Sequence, residues 1–315
     1  MESPALPGFQ ENALKAFAPQ RAVREGQVEI IIYGVTNSVS LALMAIGFSL
    51  TFGISGLPNF AHGAFYLLGG ILTWVFMNQL GLPYLVSALL SVLLIGALGF
   101  FLYWGLMLRL RGLAINEVIA TLAVAIVIIE VLRWMGFSGF SYVLPPFVRG
   151  SLNIGGVWVD IQRLLLVGIG ALLVVLLYLF TRRTRTGFSF RAIAQNERTA
   201  IAVGIDPDWT AALSLAMGSA LAVVAGLTIL PLGAIDTEMG YDILLYALAV
   251  GIIGGLESIP GAVLGSFILG FSQVLVATFL RAQWQTVVTL AAIVLILAVK
   301  PSGILGKYKE LEERV

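Results

Sequence analysis

Residues 28–63 read VEIIIYGVTNSVSLALMAIGFSLTFGISGLPNFAHG. The run Val28–Phe52 is apolar over a length that, as a helix, crosses a hydrocarbon core of about 30 Å, which takes roughly twenty residues. A strand of a membrane barrel would alternate polar and apolar positions, and this run does not. It stops at Gly53-Ile-Ser-Gly-Leu-Pro-Asn-Phe-Ala-His-Gly63. Pro58 lacks an amide hydrogen and disfavours helix at the residue before it, while Gly53, Gly56 and Gly63 permit tight turns. A crossing followed by irregular backbone and a new apolar run describes a polytopic helical membrane protein with a discontinuous segment.

Further runs extend the pattern along the chain: Phe60–Asn78, Tyr84–Leu108, Ile115–Arg133, Ile161–Phe180, Thr210–Leu230, Ile243–Gly255, Ala262–Leu280 and Thr286–Val299. The expected fold is therefore all-α, with about eight or nine transmembrane helices. Ile243–Gly255 is short for a full crossing. Composition agrees, since 59% of residues are hydrophobic and 11% charged, against about a quarter charged in soluble domains. No linker splits the chain. Residues 28–306 form one transmembrane domain that includes a loop at 182–209. Residues 1–27 form a surface segment, either an interfacial amphipathic helix or a disordered tail, and 307–315 a C-terminal tail. Met1–Gln27 lacks the pattern of a signal peptide.

Arginine sets the orientation. Arg182, Arg183, Arg185, Arg191 and Arg198 make the densest basic cluster, so their loop is expected in the cytoplasm. Counting crossings from there places the C-terminus, with Lys300, Lys307 and Lys309, inside as well. The same count puts Arg109 and Arg111 inside and Asp236–Asp242 outside. A full set of crossings leaves the N-terminus outside, and one re-entrant segment would move it inside.

Several chemistries are excluded. The net charge of +1 offers no basic field for nucleic acid. There is no cysteine for disulfides or thiolate sites, and a single histidine, His62, rules out a histidine-rich metal centre. No phosphate loop occurs, since Gly303-Ile-Leu-Gly-Lys307 has the wrong spacing. Nor is there a Gly-x-Ser-x-Gly elbow. The spans carry few carboxylates for a proton or sodium relay, so active transport would draw its energy from another polypeptide.

A second interruption, Gly251-Ile-Ile-Gly-Gly-Leu-Glu-Ser-Ile-Pro-Gly261, repeats the first, with Gly254, Gly255, Pro260 and Gly261 as its breakers. Irregular backbone at membrane depth is tolerated only where protein or a water-filled cavity satisfies it. Paired interruptions in the two halves of a chain point to a transport pathway; tight surface connections are the alternative. Asn37, Ser38, Asn59 and His62, with Ser40 nearby, either line that pathway or bond to neighbouring helices. Glu117 suits a helix start, and Glu130 can pair with Arg133. Gln273 is an amide within an apolar span with no assigned partner. Gly251/Gly255 and Gly261/Gly265 have the spacing of closely packed helices.

Four stretches resemble the branched-chain amino acid ABC transporter permease family, LivH type. They are Gly56-Leu-Pro-Asn-Phe-Ala-His-Gly63 followed by Phe65-Tyr66, the loop Gly187–Asp206, Gly254-Gly-Leu-Glu-Ser-Ile-Pro-Gly-Ala-Val-Leu-Gly265, and Lys300-Pro-Ser-Gly-Ile-Leu-Gly306. They occur in the family's order and cover the chain from about Val28 to Gly306. The resemblance implies a type II-like importer permease in a bacterial cytoplasmic membrane, with discontinuous or re-entrant helices and its C-terminus inside. It adds Tyr66 to the expected path. The implied partners are a second permease subunit of LivM type, two cytoplasmic ATPases and an extracytoplasmic substrate-binding protein. This chain would bind no cofactor, ATP and magnesium being used by the ATPases.

The Gly187–Asp206 loop resembles the family's ATPase-docking loop. Its implied residues are Arg191, Ala192, Gln195, Asn196, Ala200 and Gly204. Over 191–204 the positions Ala192, Ile193, Ala200, Ile201 and Val203 give one short two-faced helix, with Phe188 and Trp209 passing movement to the spans. Ala64 stands where many relatives carry an acidic residue. Branched-chain or other neutral amino acids are the expected cargo. Urea or short amides, or a stand-alone channel or carrier for a small neutral solute, are the alternatives.

Overall fold

The computed structural model describes residues 7–137 and 142–306, with residues 7–25 described by backbone alone. The expected C-terminal tail, 307–315, lies outside the described residues. Each apolar run has become a helix. In chain order these are α1 (Pro7–Ser55), α2 (His62–Asn78), α3 (Tyr84–Leu110) and α4 (Ala114–Phe137). After a hairpin come α5 (Ile161–Arg183), the short α6 (Arg185–Gln195) and α7 (Glu197–Ala202), and then α8 (Pro207–Leu232). The chain finishes with α9 (Met239–Gly254), α10 (Ile259–Phe279) and α11 (Trp284–Val299).

Among the described residues, six helices are long and apolar enough to span a membrane: α1 from Gly26, α3, α4, α5, α8 and α10. α9 and α11, each of 16 residues, reach only about 24 Å at 1.5 Å per residue. Two expectations change. The stretch before Val28 is helical from Pro7 and continuous with the first span rather than a separate segment. The loop before α5 contains a small antiparallel hairpin, β1 (Ser151–Ile154) on β2 (Val157–Asp160). Its Gly155-Gly156 turn, at φ 63° and 98°, has the positive angles that a two-residue hairpin turn needs.

Burial separates centre from rim. The apolar windows of α1 and α8 are 61% buried, whereas that of α5 is 17% buried. α1 packs most extensively on α10 and α8, and α8 in turn on α3 and α2. Leu93 and Phe101 of α3, Ile119 and Val127 of α4, Val175 of α5 and Leu295 of α11 point outward, as suits a surface in contact with lipid tails.

The two ends of the bundle sort as the crossing count requires. At one end Tyr142 and Ile235 exchange backbone hydrogen bonds of 3.3 and 2.7 Å, and Gly155 of the hairpin lies against Val28. At the other, Arg111 forms ion pairs with Glu197 and Asp208.

Close backbone approach depends on glycine at two crossings. A Cβ on Gly63 would fall on the Gly240 carbonyl oxygen, and one on Gly254 on the Gly261 carbonyl. Backbone cannot yield as a flexible side chain can, so overpacking of this kind costs about 1–3 kcal/mol. Gly63→Ala is expected to lower the melting temperature of the purified protein by several degrees in a thermal unfolding assay. Gly168→Ala, where a Cβ meets nothing within 4 Å, should leave it unchanged.

Candidate functional site

At the first interruption, α1 stays helical through Gly53 and ends at Ser55, so Gly53 is not a helix breaker. The chain turns at Gly56, whose φ is 69°. Pro58 and Asn59 belong to the short non-helical link, and Gly63 is already inside α2. The Nε2 of His62 meets the Met44 carbonyl at 2.8 Å. Met44 lies three turns before the end of α1, so α2 starts about 16 Å in from that end. The link therefore runs back into the bundle.

The polar groups of the link are matched in place. Gly56 N donates to the Phe52 carbonyl at 2.7 Å. The Ser55 hydroxyl donates to the Leu57 carbonyl at 2.9 Å. Phe60 N donates to Thr121 Oγ1 and Ala61 N to Asn59 Oδ1. A cavity of about 50 Å³, bordered by Pro58, Asn59, Tyr103, Glu117 and Thr121, adjoins it.

The expected path residues divide. His62 packs edge-on to Phe48 at 5.9 Å and is buried, as are Ser38 and Tyr66. The Ser38 and Tyr66 hydroxyls and His62 Nδ1 are buried without a hydrogen bond. These three line neither of the two cavities described. Asn59 borders the small one. Asn37 lines a larger groove of about 460 Å³, together with Glu29, Tyr33, Arg163, Val274 and Gln285.

Gln273, unassigned from sequence, has its partners on neighbouring helices. Asn37 Nδ2 donates to Gln273 Oε1 at 2.9 Å and to the Gly270 carbonyl at 3.2 Å. Gln273 Nε2 donates to Thr289 Oγ1 at 2.8 Å. α1, α10 and α11 are thereby joined by a chain of amides and a hydroxyl that meets the groove at Asn37. Nothing in the sequence relates position 37 to 273, or Glu29 to Arg163, because only the tertiary fold makes them neighbours.

The second interruption is a tight turn. Gly254 ends α9, Gly255 has φ 107°, and Pro260 and Gly261 lie in the first turn of α10. Ser258 caps α10 by accepting from Gly261 N at 3.0 Å. The last carbonyls of α9 would otherwise lack partners. They are taken by the C-terminal motif, with Ile304 N on the Ile253 carbonyl and Leu305 N on the Gly254 carbonyl, both at 2.9 Å. The Gly303–Gly306 stretch that failed as a phosphate loop is thus a helix cap built from distant backbone.

In the arginine loop the single helix expected over 191–204 is two, α6 and α7. They break at Asn196, which is extended (φ −160°) and caps α7 by accepting from Thr199 N. Gly204, with φ 86°, closes the far end. Arg191 and Ala192 are half-buried, Gln195 is exposed, and Ala200 is buried against the bundle. The aromatic reaching the spans is Phe190 rather than Phe188. Phe190 is 2% exposed in a cluster with Ala42, Ile46, Leu50 and Leu177, whereas Phe188 is 57% exposed. Trp209 sits edge-on to Phe100 of α3 at 5.5 Å.

Beside it, Tyr103 donates to Asp208 at 2.7 Å, and Arg111 binds Asp208 and Glu197. Burial alone would lower the Arg111 pKa. Asp208, Tyr103 and Glu197 outweigh that and hold it above its ordinary value.

A helical bundle with a re-entrant link, a polar groove at one end and a two-helix loop seated on the other has the build of a polytopic transport protein. The model of the family "branched-chain amino acid transport system / permease component" matches residues 30–298. The permease protein BraD of Pseudomonas aeruginosa, of a high-affinity branched-chain amino acid transport system, is 29% identical over 88% of this chain and 95% of its own. LivH of Escherichia coli K12 is 29% identical over 87% and 94%. A probable LivH of Methanocaldococcus jannaschii is 30% identical over 89% and 93%. Among solved structures, PsaBC from Streptococcus pneumoniae in complex with Fab is similar in fold, with TM-score 0.50 and 12% identity over 90% of this chain and 97% of that one. The chain belongs to the branched-chain amino acid transport permease family. It is a membrane permease subunit of an ABC importer, a multi-pass inner-membrane protein that works within a multi-subunit transporter.

Interhelical polar pairs inside membranes contribute about 0.6 kcal/mol each, up to about 1.7. In a double-mutant cycle on Asn37→Leu and Gln273→Leu, read by unfolding of the solubilised protein, the single losses should exceed additivity by an amount in that range.

Proposed function

We propose that this subunit pairs with a second permease subunit of LivM type and, driven by two cytoplasmic ATPases, imports branched-chain or other neutral amino acids handed over by an extracytoplasmic binding protein. ATP and magnesium are used by the ATPases, not by this chain. The cytoplasmic end is the one carrying α6, α7 and the C-terminus, where the arginines concentrate. The binding protein docks at the opposite end, near the hairpin and the Asp236–Asp242 connection.

The construction of α6 and α7 carries this reading. Phe190 and Ile193 are buried in or beside the bundle, whereas Ile201 and Val203 are 49% and 70% exposed. A loop that were merely basic and solvated would have no reason to present both an inward anchor and outward apolar residues. Such a helix pair can insert its outer face into a groove on an ATPase while Phe190 presses on α1, α5 and α8. The names of the relatives support the cargo class. On this reading the path runs from the groove at Asn37 past the link at Asn59, and Ser38, His62 and Tyr66 serve as packing beside it.

Burying an Ile or Val side chain is worth about 1.5–3 kcal/mol. The double substitution Ile201→Asp, Val203→Asp should therefore reduce co-purifying ATPase at least tenfold while the permease remains monodisperse. Undiminished ATPase stoichiometry would exclude docking at this surface. Binding-protein-stimulated ATP hydrolysis, screened across leucine, isoleucine, valine, alanine and urea, should respond to the amino acids and not to urea.

A further inference from the structure

We infer that the groove at the outer end of α1 recognises the zwitterionic head of an α-amino acid, with Glu29 taking the ammonium and Arg163 the carboxylate. Val274 and Ala277 of α10, with Ile30, supply the apolar wall for the side chain. This rests on the uptake reading proposed above. It adds a place on this chain where the class of substrate is tested.

The groove, at about 460 Å³, falls within the range of small-molecule sites, roughly 300–1,000 Å³. Its two charges have opposite sign and come from different helices. Among the described residues Glu29 forms no ion pair, so the two border one space without neutralising each other. Arg163 is held in place: its guanidinium lies 4.9 Å over the Tyr33 ring, and its Nε is 3.9 Å from Asp160 Oδ2. That separation is beyond hydrogen-bonding distance, and Nε is buried without a hydrogen-bond partner. A guanidinium so placed keeps its donor fork for a carboxylate, the group whose geometry it matches.

The Asn37 amide lines the groove, and its donors are committed to Gln273 and Gly270. A lone anion would leave Glu29 unanswered, a lone cation would leave Arg163 with only the Asp160 carboxylate at 3.9 Å, and a neutral amide would do both. A zwitterion with an apolar tail answers each feature.

The test uses the assembled permease and ATPase complex in nanodiscs without binding protein, and saturation-transfer NMR on the methyl signals of three probes. Leucine carries both charges, leucinamide only the positive one, and 4-methylpentanoate only the negative one. Glu29→Gln and Arg163→Gln should each weaken leucine binding at least tenfold. Arg163→Gln should also abolish binding of 4-methylpentanoate and retain leucinamide, and Glu29→Gln should do the reverse. The retained probe in each variant reports an intact groove. The inference is overturned if the unsubstituted complex gives no leucine signal, if either variant binds all three probes undiminished, or if both lose all three alike. Binding-protein-dependent leucine uptake by the unsubstituted complex separates the two levels. Uptake without the charge pattern removes the groove assignment alone, and no uptake of any amino acid removes the uptake reading itself.

Discussion

No water reaches the hydrocarbon core of a bilayer, so every peptide group placed there must find its partner within the protein. Regular helix meets this demand automatically, and six helices among the described residues are long and apolar enough to rely on it over most of their length. The informative places are where the helix is given up. The link between α1 and α2 turns back into the bundle and draws on the Ser55 and Thr121 hydroxyls and the Asn59 amide for its amides and one carbonyl. The end of α9 is closed by amides from the far end of the chain, at Ile304 and Leu305. Both solutions need backbones nearly in contact, and hence glycine at positions 63, 254 and 261.

That constraint also explains how far sequence reading could go. A span announces itself through hydropathy, a property of one segment, so each expected crossing is present as a helix, its ends within a few residues of those expected except at the start of α1, which begins at Pro7. Which loops share an end of the bundle was legible for a similar reason, since alternation of crossings is arithmetic on the chain. Partners were not legible. A Ser, His or Tyr within an apolar run reads the same whether it faces water or a neighbouring helix, and Ser38, His62 and Tyr66 turned out to be packed. Gln273 stood out as an orphan amide, but its link to Asn37 spans most of the chain.

The arginine loop shows the same limit at short range. Its apolar spacing suggested one helix, whereas Asn196 uses its side chain to start a second. Asn, Asp and Ser are at home as helix starters, and that local signal outweighed the longer apolar pattern. The choice of Phe190 over Phe188 as the inward anchor follows from the helical phase of α6, which its start at Arg185 determines. A reading that placed the helix some residues later could not have fixed that phase.

One element meets both ends. α1 lines the groove with Glu29, Tyr33 and Asn37 and, two to four turns further along, receives Phe190 against Ala42, Ile46 and Leu50. Between them it is continuous helix, without a proline and without a kink. Sharp bends in helices arise mostly at proline, Gly/Ser pairs, π-bulges or inserted groups, and α1 has neither proline nor π-turn between Asn37 and Leu50, so a push at Leu50 is carried along regular helix. The π-turns lie elsewhere, in α3 at Tyr103–Met107 and in α4 at Arg133–Phe137. The first of these sits beside the Arg111–Asp208 cluster that ties the loop to α3. The bundle thus sets one stiff helix reaching from the loop to the groove against flanking helices that can bend. On the uptake reading proposed above, with energy delivered at the loop and cargo received at the groove, that is the division of stiffness that coupling requires.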